Sequence, residues 1–184
     1  MHVECQRRTL PCLVAAAIVV ALAAVAALAA GCTHAPAATD AVTFVVVRHA
    51  EKASVDPNDP ALTAAGEARA RRLAESLASQ RVTAVYATGY RRTQQTAAPT
   101  ARMHGIGVTT YDARSDATTF ASALRRDHAR GTVLVVGHSN TVPGIAAALC
   151  ACAVAPMDES EYDRRMTVRV DARGTATLVQ SRDP

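Results

Sequence analysis

Two histidines, several arginines and a few carboxylates sit where an apolar run has just ended, and that combination can move a phosphoryl group. Arg48-His49-Ala50-Glu51-Lys52 follows Val42–Val47, and Thr88-Gly89-Tyr90-Arg91-Arg92 follows Val82–Tyr86. Asp112 follows Val108–Tyr111, and Gly137-His138-Ser139-Asn140 follows Thr132–Val136. An imidazole attacks phosphorus only when the attacking nitrogen is unprotonated, and neighbouring cations lower its pKa and keep it so near neutral pH. Arginine forks hold phosphate oxygens and stabilise the charge spread over them during transfer. A carboxylic acid beside the leaving oxygen adds on the order of a hundredfold or more by protonating it. A lone histidine after a strand is commonly a loop residue, so the weight lies in the convergence of four such places.

Convergence requires elements that bring these segments to one edge. Val42–Val47 is a continuous β-branched and aromatic run, the pattern of a strand buried on both faces of a parallel sheet. Asp56-Pro57-Asn58-Asp59-Pro60 breaks the chain before Thr63, the N-cap of a helix running to about Ser79. Leu73 and Leu77 mark its buried face, and Arg69, Arg71, Arg72 and Glu75 its wet one. Val82–Tyr86 is a second strand, residues 91–103 a second helix kinked at Pro99, and Val108–Tyr111 a short third strand. Residues 116–129 form a third helix and Thr132–Val136 a fourth strand. Pro143 suits the first turn of a further helix; Ser139, Asn140 and Thr141 either line the site or cap that helix, capping being the more economical reading. Met166–Val170 and Thr175–Gln180 alternate in period two around Asp171-Ala172-Arg173-Gly174, which predicts a terminal hairpin. The expectation is a single three-layer α/β domain over residues 42–184, with a mostly parallel central sheet flanked by helices. Ligands would gather at the carboxyl ends of its strands.

Ahead of the domain, residues 10–31 are almost entirely Ala, Val, Leu and Ile, preceded by Arg7 and Arg8 and followed by Cys32. A basic start, an apolar centre and a small-residue junction describe an export signal over residues 1–32, with 33–41 as a tether. Leu28-Ala29-Ala30-Gly31-Cys32 resembles a bacterial lipobox, in which Cys32 is lipidated and becomes the first mature residue. Cleavage near Ala35-Pro36-Ala37 and an uncleaved apolar anchor of roughly 20 residues are the alternatives. All three export the domain to the periplasm or cell envelope, and a lipid or an uncleaved helix would also tether it to the membrane.

Cys5 and Cys12 leave with the signal, so Cys150 and Cys152 are the thiols of the domain, read as small apolar residues buried at a helix end rather than as a disulfide. No Cys-x-x-Cys pair or His-rich cluster has metal-ligand spacing, so neither a metal nor another cofactor is expected. The formal net charge of +4 over 184 residues is modest, and it shrinks when Glu4, Arg7 and Arg8 depart. Aromatic residues make up only 3% and no basic run carries stacking side chains, which argues against nucleic acid and suits a small anionic substrate.

In this order the motifs resemble those of the histidine phosphatase superfamily, also called phosphoglycerate mutase-like. The resemblance rests on Val47-Arg48-His49-Ala50-Glu51, Leu62-Thr63-Ala64-Ala65-Gly66, Arg92-Thr93-Gln94-Gln95-Thr96-Ala97 and Val136-Gly137-His138-Ser139, and covers roughly residues 42–150. Ala50 stands where the family commonly has Gly, and Ser139 departs from the acid phosphatase branch, where an Asp follows the second histidine. The resemblance implies a metal-independent phosphomonoester hydrolase in which His49 accepts the phosphoryl group, splitting one hard hydrolysis into two easier steps. It implies phosphate binding by Arg48, His49, Arg92 and His138, the spacing to Gln95-Thr96 selecting Arg92 and leaving Arg91 on the rim. Mutase-like members place an acid after the third strand, which makes Asp112 the first candidate proton donor, with Glu51 and Asp116 as rivals. Lys52, Arg125 and Arg126 are read as solvated charges.

The implied partner is a small phosphorylated substrate. A phosphosugar is one such expectation, because an exported heptose phosphatase of the lipopolysaccharide core has a similar Arg-His-Ala-Glu segment. Rival readings are a phosphomutase, a phosphohistidine protein phosphatase, and a phosphate-binding lipoprotein without turnover. The export signal speaks against the first two, and the complete set of histidines, arginines and carboxylates against the third.

Overall fold

The structure, a computed structural model, describes residues 41–183; the export segment 1–32 with Cys32, and residues 33–40 of the tether, lie outside the described residues. In chain order the elements are β1 (Val42–Arg48), α1 (Ala64–Leu77), β2 (Val82–Thr88), α2 (Arg91–Met103) and β3 (Val108–Tyr111). They continue with α3 (Ala117–Asp127), β4 (Gly131–Gly137), α4 (Val142–Cys150), β5 (Arg164–Val170) and β6 (Ala176–Arg182). The six strands form one sheet in the order β3-β2-β4-β1-β5-β6. The pairs β3/β2, β2/β4 and β4/β1 are parallel, whereas β5 runs antiparallel to β1 and β6 to β5.

The apolar runs of β1 and β4 are continuous because both faces of the sheet are covered. Alternate side chains divide between the two faces, as a period of two requires. Val45, Val47, Leu134 and Val136 pack with Leu73 and Leu77 of α1 and Ala97 and Ala101 of α2. Phe44, Val46, Val133 and Val135 pack on the other face with Leu124 of α3 and Ile145 and Leu149 of α4. The result is the expected three-layer α/β domain with a C-terminal antiparallel hairpin.

Thr63 caps α1, its Oγ1 accepting the Gly66 N–H at 3.1 Å. The first turn of α1 presses on the loop after β1: Thr63 N–H donates to the Glu51 carbonyl at 2.9 Å, and a Cβ at Gly66 would lie 2.3 Å from that same oxygen. Gly66 is therefore required by close backbone approach, and α1 fastens the segment carrying His49. Pro99 falls inside α2, which runs through it as one helix.

The chain departs from the sequence reading at the end of α4. Cys150 and Cys152 are joined by a disulfide, with Cα atoms 5.2 Å apart, and Cys152 is exposed rather than buried. Ala151 adopts a left-handed conformation at φ 51°, and that reversal at the C-cap lets two cysteines one residue apart face each other.

Strand order creates the crevice. From β1 the chain moves outward through β2 and β3, then returns to insert β4 between β2 and β1, with α1 and α2 on one face and α3 and α4 on the other. At the carboxyl edge the His49 N–H donates to the Gly137 carbonyl at 2.9 Å, so the two histidine-bearing segments are stitched side by side.

Candidate active site

His49 immediately follows β1 and His138 immediately follows β4, and their ring centroids lie 5.4 Å apart, edge to face. Both line a cavity of about 480 Å³ that also receives Lys52, Tyr90, Arg92, Ser139, Asn140 and Glu159. His49 is 3% exposed and His138 9%. Desolvation by burial lowers each imidazole from its usual 6.5 to about 4. For His49 the Ala50 carbonyl opposes that shift, while Arg48, His138 and Arg92 add to it. For His138 the cations Arg92 and Arg48 add to it and Glu159 opposes it. Both rings are neutral at physiological pH.

The hydrogen-bond partners settle which nitrogen of each ring carries the proton. His49 Nδ1 lies 2.8 Å from the Ala50 carbonyl, which can only accept, so Nδ1 holds the hydrogen. Nε2 is left with its lone pair and accepts from Arg92 Nε at 3.2 Å. Two threonines fix the tautomer of His138. Thr93 Oγ1 spends its proton on the carbonyls of Thr88 and Tyr90, so the 2.8 Å contact between the hydroxyls has Thr88 donating. Thr88 Oγ1 can then only accept from His138 Nε2–H, at 3.0 Å. Nδ1 is the atom of His138 that would take up a proton when an anion enters.

On the buried face of α2, Thr93 and Thr96 stand where large apolar residues would be expected, and both serve this network. Thr96 Oγ1 accepts the Ala50 N–H at 3.0 Å, and Gln95 Oε1 accepts the Leu62 N–H at 2.8 Å, which clamps both ends of the loop after His49. Arg92, at the start of α2, stacks its guanidinium 4.4 Å from the centre of the Tyr90 ring, and Tyr90 in turn meets His138 edge-on at 5.2 Å. Arg91 stays on the rim, ion-paired with Asp56.

Arg48 is placed behind the cavity wall rather than on it. Its guanidinium is 2% exposed, lies 4.1 Å over the Tyr162 ring, and is held by the loop before β5. Nη2 donates to the Glu159 carboxylate at 2.8 Å, and Nη1 donates to the Glu159 carbonyl at 2.5 Å, with longer contacts to the carbonyls of Asp158 and Glu161. Its buried Nε has no partner. Glu159, not Arg48, faces the cavity.

The three carboxylates named from sequence are used elsewhere. Asp112 is exposed, and Arg114 beside it donates to both its oxygens at 3.2 and 3.0 Å. That pairing holds its carboxyl below the usual range, and its side chain lines an adjacent depression with Thr110 and Arg114 instead of the histidine cavity. Glu51 turns away to a bidentate pair with Arg69, whose Nη2 donates to Oε1 at 2.7 Å and Nε to Oε2 at 3.1 Å. Asp116 caps α3, accepting the Thr119 N–H at 2.8 Å.

Glu159 is the carboxylate that does reach the cavity, and it was missed because it sits in an irregular acidic loop 111 residues from Arg48. At the strand-end loop the site-lining alternative holds rather than the preferred capping: Ser139, Asn140 and Thr141 line the cavity, and Thr141 makes no side-chain cap to α4 but accepts the His138 N–H at 3.0 Å. Lys52, read as a solvated loop charge, lines the cavity as well. Among the described residues no group of His, Cys, Asp and Glu is set to hold a metal ion.

Residues 44–114 match the family model of the histidine phosphatase superfamily, branch 1. Among similar solved structures, the protein histidine phosphatase SixA complexed with tungstate is 20% identical, with 78% of this chain and 97% of that chain covered and a TM-score of 0.60. A mycobacterial glucosyl-3-phosphoglycerate phosphatase is 14% identical, with 78% and 100% covered and a TM-score of 0.61. Bacillus stearothermophilus YhfR is 17% identical, with 78% and 98% covered and a TM-score of 0.63. No curated protein matches the chain. At these identities the structures show a shared phosphoglycerate mutase-like fold.

Proposed function

We propose that this chain, a histidine phosphatase superfamily protein by its residues 44–114, is a phosphomonoester hydrolase that forms a phosphohistidine on His49. The observation that carries the proposal is the state of His49: a buried, neutral ring whose Nε2 lone pair faces the cavity-lining Arg92, its tautomer fixed by the Ala50 carbonyl. A substrate phosphoryl group entering the cavity takes over the Arg92 Nε–H, and Nε2 becomes free to attack phosphorus. Arg92, and His138 once protonated at Nδ1 beside the dianion, hold the equatorial oxygens as charge redistributes. Arg48 joins them when the Glu159 carboxylate gives way. Water then attacks the phosphohistidine, releasing inorganic phosphate and restoring His49.

The tungstate bound in SixA is a phosphate-like oxyanion, which supports an oxyanion site in this fold. A small phosphorylated metabolite, with phosphosugars the first class to screen, suits the cavity's size and its cations. The test is hydrolysis of an aryl phosphate by the full chain in detergent with excess EDTA. Undiminished activity is expected, because all the proposed steps use side chains alone. Loss of activity in EDTA, restored by a divalent metal, would overturn the metal-free reaction.

We propose that residues 1–32 export the domain and that Cys32 becomes its lipid anchor in the bacterial envelope. The Cys150–Cys152 disulfide is compatible with an oxidising compartment, and the apolar run before Cys32 supports export. Cys32→Ser should abolish acylation and shift the protein's membrane partitioning. Unchanged membrane association would favour an uncleaved apolar helix.

A further inference from the structure

The reaction proposed above needs a proton for the leaving oxygen, and the candidates named from sequence are all engaged elsewhere. We propose that Glu159 is the catalytic acid and base of the site, unlocked by the phosphoryl group itself; this rests on the hydrolase reading. Glu159 lines the cavity with His49, Arg92 and His138. Its two carboxylate oxygens occupy donors that a phosphoryl group would use: Oε2 takes Arg48 Nη2 at 2.8 Å, and Oε1 takes the hydroxyl of Ser139. The side chain is 77% exposed although its partner Arg48 is 1% exposed, so it can swing out while the guanidinium stays in place.

The exchange explains how one carboxylate can be both plug and acid. Without substrate, the Ser139 hydroxyl and then the Arg48 charge hold Glu159 ionised below the usual carboxylate range, with Lys52 contributing in the same direction. A phosphoryl dianion that claims Arg48 and Ser139 strips Glu159 of its two principal partners and sets two negative charges beside it. Both changes favour the protonated acid. Lys52 and a protonated His138 oppose that shift but neutralise the phosphoryl group at the same time. The atoms then balance over two steps. In the first, the Nε2–P bond forms, the P–O ester bond breaks, and the Glu159 proton goes to the leaving oxygen. In the second, Glu159 takes a proton from water as the new P–O bond forms and the Nε2–P bond breaks, which returns the carboxylic acid for the next turnover or releases its proton with phosphate.

The experiment compares wild type and Glu159→Gln, as full chains in detergent, on an alkyl phosphate and on dinitrophenyl phosphate. The value of kcat/KM reports only the steps up to cleavage of the ester bond, and a dinitrophenolate leaves without a proton. Glu159→Gln should lower kcat/KM for the alkyl ester about 100-fold and change that for the dinitrophenyl ester less than about 3-fold. The variant should also show a burst of dinitrophenol before a slow steady state, because water attack still lacks its base. Equal losses on both esters without a burst would mean that Glu159 only positions Arg48 and Ser139, and the acid–base role would be overturned while the hydrolase reading survives. Absence of turnover by wild type on either ester would overturn the hydrolase reading and the role of Glu159 with it.

Discussion

His49→Ala should lower phosphomonoester turnover by at least about 10⁴-fold, the scale on which a covalent nucleophile is lost. The reason lies in the geometry of one atom. Nε2 of His49 is the ring nitrogen with a free lone pair, and the Arg92 Nε–H already points at it from 3.2 Å. The neighbouring groups have other tasks: His138 donates through Nε2 to Thr88 and takes up a proton at Nδ1 beside the dianion, and Ser139 is engaged with Glu159. Rapid quenching of wild type with a labelled substrate should trap phosphate in a bond that is labile to acid and stable to alkali, as a phosphoramidate is. The variant should trap none. Full activity in His49→Ala would remove the covalent mechanism. In wild type, kcat/KM should fall as pH drops through about 4, where His49 takes up a proton and loses its lone pair.

The same two imidazoles should make the folded domain acid-sensitive well above the pH at which carboxylates titrate. Both are neutral and buried in the folded state, with pKa values lowered to about 4, whereas in the unfolded chain they sit near 6.5. Between those values the unfolded state binds more protons, so stability is fully present above about pH 6.5 and is lost as pH falls toward 4. At roughly 1.4 kcal/mol per unit the full loss is on the order of 3 kcal/mol for each ring, a large part of an ordinary domain's stability. Asp183, whose carboxyl burial pushes up, acts in the opposite direction and softens the slope. Urea unfolding measured at intervals from pH 7.5 to 4.5 should show the decline beginning near 6.5, and His49→Ala should cut its slope by about a third to a half, because burial also lowers His128 and adds to the decline. A flat profile would mean that the rings are charged or hydrated in the folded state.

Much of this site could be anticipated because local signals carry it. The four polar segments each end an apolar run, and a strand buried on both faces must be apolar throughout, so the first polar residue marks the sheet's edge. Thr63 was legible as the start of a helix and Gly66 only as part of a family motif; the structure adds that Gly66 lets α1 touch the Glu51 backbone. Asp112 misled for a physical reason: position after β3 brings a residue to the correct edge, but Arg114 two residues on captures the carboxylate. Cys150 and Cys152 misled because a pair one residue apart closes only if the intervening backbone turns left-handed, as Ala151 does.

The sequence by itself determined the elements, the three-layer α/β class, and the two histidines at strand ends, since periodicity, caps and breakers act over a few residues; the choice of Arg92 over Arg91 came from the family resemblance. Only the tertiary structure decided that Arg48 withdraws behind the wall, that Thr88 and Thr93 set the His138 tautomer, and that Glu159 plugs the cavity. Those outcomes depend on which strand lies beside which and on contacts across as many as 111 residues. Burial and partner geometry arise only when the sheet closes, and they, not residue type, fix which groups are charged, which are spent and which are free to react.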